Sequence, residues 1–292
     1  MRINLIGPGR LGKALAASLI LTGEHRLLGV YHPTITRAQQ AVATLGQGLA
    51  LYQLSALPQA DLTLITCPDD EMPALIKKLA EAAMIIPNSI VMHASGILNS
   101  DILMPLKQQG AHTASLHPLK AFRDANTPNA NAFQGVHCAI EGDSEAINQL
   151  TPLWQAMGAQ VFKLNPEKKA AYHAAAVIAS NYLVTLASEA IQLFETSGLP
   201  PKNAREICLQ LMQTSLDNLK QTNSPKQALT GPLVRGDVQT VQKHLDAITS
   251  KQTKKLYCIA GLATLPLVDL AHQDHKVLKS MLYIQHDKNT KK

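Results

Sequence analysis

The sequence predicts an α/β protein: a largely parallel sheet covered by helices in its first half, and helices alone in its second. Three observations predict it. Short apolar runs alternate with helical stretches from Ile3 to Leu164. After Asn165-Pro166 this alternation stops, and long segments rich in Ala, Leu and Ile follow. A spaced set of glycines, Gly7, Gly9 and Gly12, separates the first apolar run from the first helical stretch.

Taken in order, the expected strands are Ile3–Ile6, Arg26–Tyr31, Ala50–Tyr52, Leu62–Thr66, Ser89–His93, His112–Leu116, Val136–Ile140 and Gln160–Leu164. Helices are expected between them at Leu11–Leu21, Thr36–Leu45, Met72–Ala82, Ser100–Gln108 and Ser144–Met157. One long helix is expected over Glu167–Ser197, stopped by Gly198 and Pro200. Further helices are expected at Asn203–Leu219, Asp237–Ile248 and Lys251–Ala271. The chain is expected to divide into residues 1–165, an α/β domain, and 166–292, a helical domain.

Composition narrows the class. Of 292 residues, 46% are hydrophobic and 16% charged, which supplies a core and argues against disorder. No apolar run is read as spanning a membrane. The first strand begins almost at Met1, leaving no room for a signal peptide, so a cytoplasmic protein is expected. Cys67, Cys138, Cys208 and Cys258 are too scattered for a local zinc site and read as reduced thiols. The charge of +6 suits an anionic ligand, and only 4% aromatics with no basic patch argue against nucleic acid. His272 and His275 stand three apart, but without a third ligand they read as solvent-facing, and no metal is expected.

Gly7-Pro8-Gly9-Arg10-Leu11-Gly12 is G-x-G-x-x-G, placed after a strand and opening a helix. Gly7 permits the tight turn, Gly9 lets backbone approach a pyrophosphate, and Gly12 lets helix pack on strand. The helix start then offers unpaired N–H groups and partial positive charge, with Arg10 and Leu11 in its first turn. A dinucleotide is the expected ligand. The second strand ends Tyr31-His32-Pro33-Thr34, with no acid to hold a ribose 2′-hydroxyl, and Arg37 follows. An Arg there pairs with a 2′-phosphate that an acid would repel, so NADP is expected, with NAD or a deazaflavin nucleotide as alternatives. His32, Thr34 and Arg37 are assigned to that end of the cofactor, and Cys67 and Pro68, after the fourth strand, to the ribose beside it. Asp70 is expected to cap the following helix.

Three further segments carry candidate chemistry. His93-Ala94-Ser95-Gly96 ends the fifth strand, and Ser95 is assigned to substrate. His117, fixed by Pro118, ends the sixth. His173 and Asn181 are read on one face of the long helix, with Val177 between them. His93, His117 and His173 are expected to face one crevice, where imidazoles suit proton transfer. Arg235 is assigned to a substrate carboxylate, and Asp237 to the cap of the helix that follows.

Together these segments resemble an uncharacterised family of Rossmann-like proteins with a helical C-terminal domain of unknown function. The resemblance covers nearly the whole chain. It rests on Gly7-Pro8-Gly9-Arg10-Leu11-Gly12, Pro68-Asp69-Asp70, His93-Ala94-Ser95-Gly96, His117-Pro118-Leu119, His173-Ala174-Ala175-Ala176 with Asn181, and Thr230-Gly231-Pro232 with Arg235-Gly236-Asp237. It implies an NADP-dependent oxidoreductase, distantly related to pyrroline-5-carboxylate reductases, ketopantoate reductases and 3-hydroxyacid dehydrogenases. In the latter two groups a Lys four residues before an Asn is the acid–base group. Val177 stands at that spacing before Asn181 here, so that mechanism does not carry over.

The expected reaction passes a hydride between nicotinamide and the C=O or C=N carbon of a small carboxylate-bearing substrate. His173 is assigned the proton, with His117 as rival, and Asn181 the substrate oxygen or nitrogen. The alternative is a non-catalytic NADP-binding sensor or interaction protein. A helix as apolar as Ala170–Leu193 needs cover beyond one small domain, so a homodimer is expected.

Overall fold

The computed structural model describes residues 1–122, 129 and 131–288. They group into two compact units, Met1–Ser180 and Asn181–Lys292.

The first unit is built on one sheet. Its strands are β1 (Arg2–Ile6), β2 (Arg26–Tyr31), β3 (Leu49–Leu51), β4 (Leu62–Ile65), β5 (Ile90–His93), β6 (His112–Pro118), β7 (His137–Gly142) and β8 (Gln160–Lys163). Their order across the sheet is β3-β2-β1-β4-β5-β6-β7-β8. From β3 to β6 every pairing is parallel; β7 runs antiparallel to β6 and parallel to β8. The central strands are apolar without alternation because helices cover both faces. Leu62, Leu64, Ile65, Ile90, Val91 and Met92 are all buried.

The covering helices are α1 (Arg10–Leu21), α2 (Ile35–Leu45), α3 (Met72–Glu81), α4 (Met104–Lys107) and α5 (Ser144–Ala156). Leu15, Leu19, Phe133, Leu150 and Trp154 pack one core face, while Met72, Ile76, Leu79 and Leu103 pack the other. A fully buried side chain of this size contributes ~1.5–3 kcal/mol. Asp70 does not cap α3: Glu71 is the N-cap residue, and it makes no side-chain cap bond. The helix opens instead on Pro73, whose missing N–H is no loss in a first turn.

The last helix of the first unit is α6 (Lys169–Ala179), followed at once by α7 (Asn181–Thr196). The single helix expected here is therefore broken. Ser180, at φ −118° and ψ −68°, stays in the right-handed region but is distorted from ideal helical values between them. The run Pro166–Thr196 is also apolar and long enough to cross a membrane by length and composition, contrary to expectation.

The second unit is helical: α7, α8 (Pro201–Gln221), α9 (Pro225–Ala228), α10 (Val238–Ala247), α11 (Lys251–Thr264) and α12 (His272–Lys288). Helix α11 stops at Thr264, and the chain turns through Leu265–Leu267 before α12, a polar helix the sequence did not suggest. Val241, Leu245, Cys258, Leu278 and Leu282 form the core of α10, α11 and α12. Asp237 does cap α10, accepting from the Thr240 N–H at 3.0 Å and its hydroxyl at 2.7 Å.

Candidate active site

The glycine turn after β1 is shaped by its neighbours. Gly7 sits at φ +82°, in the left-handed region, and a Cβ there would lie 2.7 Å from the Cys67 nitrogen. At Gly12 a Cβ would overlap Thr66 Oγ1 and stand 2.8 Å from Gly7 O. That space is used: Thr66 donates its hydroxyl to Gly7 O at 2.6 Å, tying the turn to the end of β4. Gly9 is different. Among the described residues nothing lies within 4 Å of its Cβ position, so its backbone faces open space there. It is the N-cap of α1, and Arg10, exposed, and Leu11 and Gly12 form the first turn, whose N–H groups have no partner within the helix.

Beside this turn lies a cleft of about 390 Å³. Gly7, Gly9, His32, Arg37, Cys67 and Pro68 line it, together with Tyr31, Thr66 and one side of α3. His32 Nδ1 accepts from the Thr34 N–H at 2.9 Å, which places the ring's proton on Nε2. Thr34 is the N-cap of α2 but makes no side-chain cap bond. Burial and the carboxylate of Glu71 push the Cys67 thiol up to about 11, so it stays a neutral wall. Glu71 and Lys78 of α3 also face the cleft; on an exposed amphipathic helix they carried no signal in the sequence.

These features fit a nucleotide diphosphate. The open side of Gly9 leaves room for an anion, and the first-turn N–H groups and the guanidinium of Arg37 supply the donors it needs.

A second constellation follows β5 and β6. Gly96 is buried, and a Cβ there would overlap His173 Nδ1 and lie 2.9 Å from His117 Nε2. The two imidazole rings meet edge to face, with centroids 5.6 Å apart. His117 Nδ1 shares a 3.0 Å hydrogen bond with the Tyr172 hydroxyl. Buried His173 Nδ1 has no hydrogen-bond partner among the described residues. Burial, reinforced by His173 and the Lys169 ammonium, pulls His117 down to about 4. Burial drives the Tyr172 phenol upward, so its hydroxyl keeps its proton.

His93 does not join the pair. It is fully buried, its Nδ1 accepts the Ser95 N–H at 3.2 Å, and Nε2 donates to Asn99 O at 3.0 Å. Both ring nitrogens are satisfied by the loop. Burial, with Lys169 adding to it, pulls its pKa to about 3. Ser95 is buried as well; its Oγ accepts from the N–H groups of Ile97 and Leu98 at 3.2 and 2.9 Å.

Beneath the pair lies a charged group that the sequence did not suggest. Lys169 and Glu141 are 2% and 4% exposed, and Lys169 Nζ stands 3.1 Å from Glu141 Oε1. The ammonium also donates to Leu98 O and Ser115 Oγ. Glu141 accepts from the Ser100 N–H at 2.9 Å and the Ser100 hydroxyl at 2.7 Å. Burial pulls the ammonium's pKa down, against the opposing pull of Glu141.

Asn181 and Arg235 belong to the second unit. Asn181 opens α7 and Arg235 lies in the turn before α10, and both are exposed.

Both constellations of the first unit lie at the carboxyl ends of neighbouring parallel strands, where open α/β sheets bind ligands. Thr66 follows β4 and Gly96 follows β5, while His117 is the sixth of seven residues in β6. Two strand spacings separate β4 from β6, about 10 Å. The fold and glycine turn define a dinucleotide-binding type of α/β protein with a helical second unit. More narrowly, the chain joins a Rossmann-like domain, matched over residues 1–118, to a domain of unknown function, DUF2520, matched over residues 136–264.

Solved structures share this fold along nearly the whole chain. A candidate NADP oxidoreductase from Bacteroides fragilis superposes with a TM-score of 0.70 at 20% identity, covering 98% of each chain. An imine reductase from Streptomyces aurantiacus gives 0.61 at 16% identity, covering 98% of this chain and 94% of that one. Pyrroline carboxylate reductase from Plasmodium falciparum, solved with NADP bound, gives 0.55 at 13%, covering 99% and 98%. A search of the curated proteins finds no significant match.

Proposed function

We propose that the protein is an NADP-dependent oxidoreductase acting on the C=O or C=N bond of a small carboxylate-bearing substrate. The observation that carries this reading is the convergence of His117 and His173 on Gly96, about two strand spacings from the glycine turn. The names of similar folds, pyrroline carboxylate reductase and imine reductase among them, support the reaction class.

The Gly7–Gly12 turn brings the diphosphate against the first-turn N–H groups of Arg10, Leu11 and Gly12; His32, Thr34 and Arg37 take the 2′-phosphate end, and Cys67 and Pro68 the ribose. The nicotinamide, when bound, supplies the hydride. The protein fixes distance and supplies the proton. The Tyr172 hydroxyl shares a hydrogen bond with His117 Nδ1, and His117 Nε2 lies beside Gly96. His173 delivers a proton to the substrate heteroatom as hydride reaches carbon and regains one from solvent once product leaves, while neutral His117 packs edge to face against it and fixes its ring. Ser95 sits in the loop that frames this position.

We further infer a homodimer formed through α7 and α8, since no residue of α7 is buried by its own chain. Four free thiols accord with a reducing, cytoplasmic setting.

The test is NADPH oxidation across a panel of small keto acids and cyclic imines. Turnover on one of them, lost in His173→Ala while NADPH affinity is kept, is the expected result. Tight NADPH binding with no turnover on any member would favour the sensor reading instead.

A further inference from the structure

We propose that Lys169 is the positioning residue for the His117–His173 pair, one ammonium tying together the three segments that present the two rings and the glycine between them. This rests on the reading of that pair as the proton-supplying group.

The connections are short in sequence. Leu98, whose carbonyl Lys169 holds, is two residues beyond Gly96. Ser115, whose hydroxyl Lys169 holds, is two residues before His117 and on the same side of β6, because side chains in a strand repeat every second residue. Lys169 itself is four residues before His173, one turn along the same side of α6. Glu141 is paired directly across from Ser115 in the antiparallel ladder of β6 and β7.

Each member of the group is saturated. An ammonium has three donors, and Lys169 meets three acceptors on three elements: Leu98 O, Ser115 Oγ and Glu141 Oε1. Glu141 in turn takes two donors from Ser100. No donor of Lys169 is left to touch a substrate, so its action reaches the reaction only through the rings. Burial chiefly holds His117 and His93 neutral, and the Lys169 charge adds to it. A buried pair of this kind fixes one arrangement over others.

The experiment uses the full-length protein and needs no substrate. Two variants are compared with the wild type: Lys169→Met with Glu141→Gln, which removes both charges together, and Ser115→Ala, which keeps the pair but cuts its link to β6. Diethyl pyrocarbonate modification is timed at each histidine by peptide mass spectrometry, and imidazole ¹⁵N resonances are recorded on the same samples. Modification of His117 and His173 is expected to quicken by about tenfold in the double variant, as when a buried hydrogen-bonded anchor is lost from a local opening. A smaller change in the same direction is expected in Ser115→Ala, and exposed His272 keeps its wild-type rate. If the double variant does not fold, Ser115→Ala decides. Unchanged rates and resonances at both rings in a folded variant would overturn the proposal. So would a rise of equal size at His244, in the second unit, which marks general loosening. Because turnover is not read, failure to find NADPH oxidation leaves this test standing.

Discussion

His173 Nδ1 occupies the space that a side chain on Gly96 would need, with His117 Nε2 2.9 Å from the same point. Gly96 does not lie in the left-handed backbone region, so bulk alone forbids a larger residue there. One bare backbone position thus sets how closely the two imidazoles approach.

Gly96→Ala is expected to push both rings aside while leaving the glycine turn after β1 untouched. Overpacking of this kind costs ~1–3 kcal/mol of stability. Misplacing an acid–base group by an ångström costs on the order of 10²-fold in rate. Turnover on whichever substrate is found should therefore fall by about two orders of magnitude. NADP affinity, measured by calorimetry, should stay near wild type. Normal turnover in a folded Gly96→Ala protein would remove the pair from the mechanism.

Arg37 lines the cleft from the first turn of α2, where no acid competes at the end of β2. On the proposed reading, Arg37→Ala removes a charge-assisted bond to the 2′-phosphate. NADP should then bind about tenfold more weakly, with NAD affinity unchanged. Calorimetry with both nucleotides measures this. Equal losses for the two would place Arg37 on the diphosphate instead.

The sheet was legible because its strands are short apolar runs set off by polar or glycine-bearing turns, as at Leu62–Ile65 before Thr66-Cys67-Pro68. The cofactor turn was legible because its glycines answer a local steric demand. The break at Ser180 was not, since Ala179-Ser180-Asn181 contains neither Gly nor Pro. Nor was the buried charge beneath the histidines. Lys169 follows Glu167 and Lys168 at a helix start, where sequence reads a solvated surface, and Glu141 reaches it only through β6–β7 pairing. His93 was misplaced for a related reason: the loop bonds that satisfy it come from backbone, which carries no residue signature.

Two buried imidazoles make stability depend on mild acid. His93 is held near 3 and His117 near 4, chiefly by burial, against an ordinary 6.5 in the unfolded chain. Between those values and 6.5 the unfolded chain binds more protons than the native one. Stability is therefore full above about pH 6.5 and falls as pH drops through the window below it. Asp61 and Asp143 are both lowered from 3.8, so their contributions are lost only at lower pH. Urea unfolding at pH 7 and pH 5 should differ by roughly 2 kcal/mol or more from the two rings. A flat profile over that range would show that they take up protons in the folded state.

The apolar face of the second unit gives the last prediction. Val184 on α7 is 70% exposed and Leu211 on α8 is 56% exposed, with Leu186 and Leu209 also uncovered. Large apolar side chains left uncovered on both helices mark a candidate association surface, and a twofold pairing of two copies would cover it. Sedimentation should give twice the 31.5 kDa chain mass for the wild type. Val184→Glu with Leu211→Glu buries two charges in such an interface and should shift the protein to the single-chain mass, with the sheet domain and its NADP affinity unaltered. A wild-type protein that sediments as one chain at micromolar concentration would refute the pairing. A double variant that stays paired would move the interface to another face.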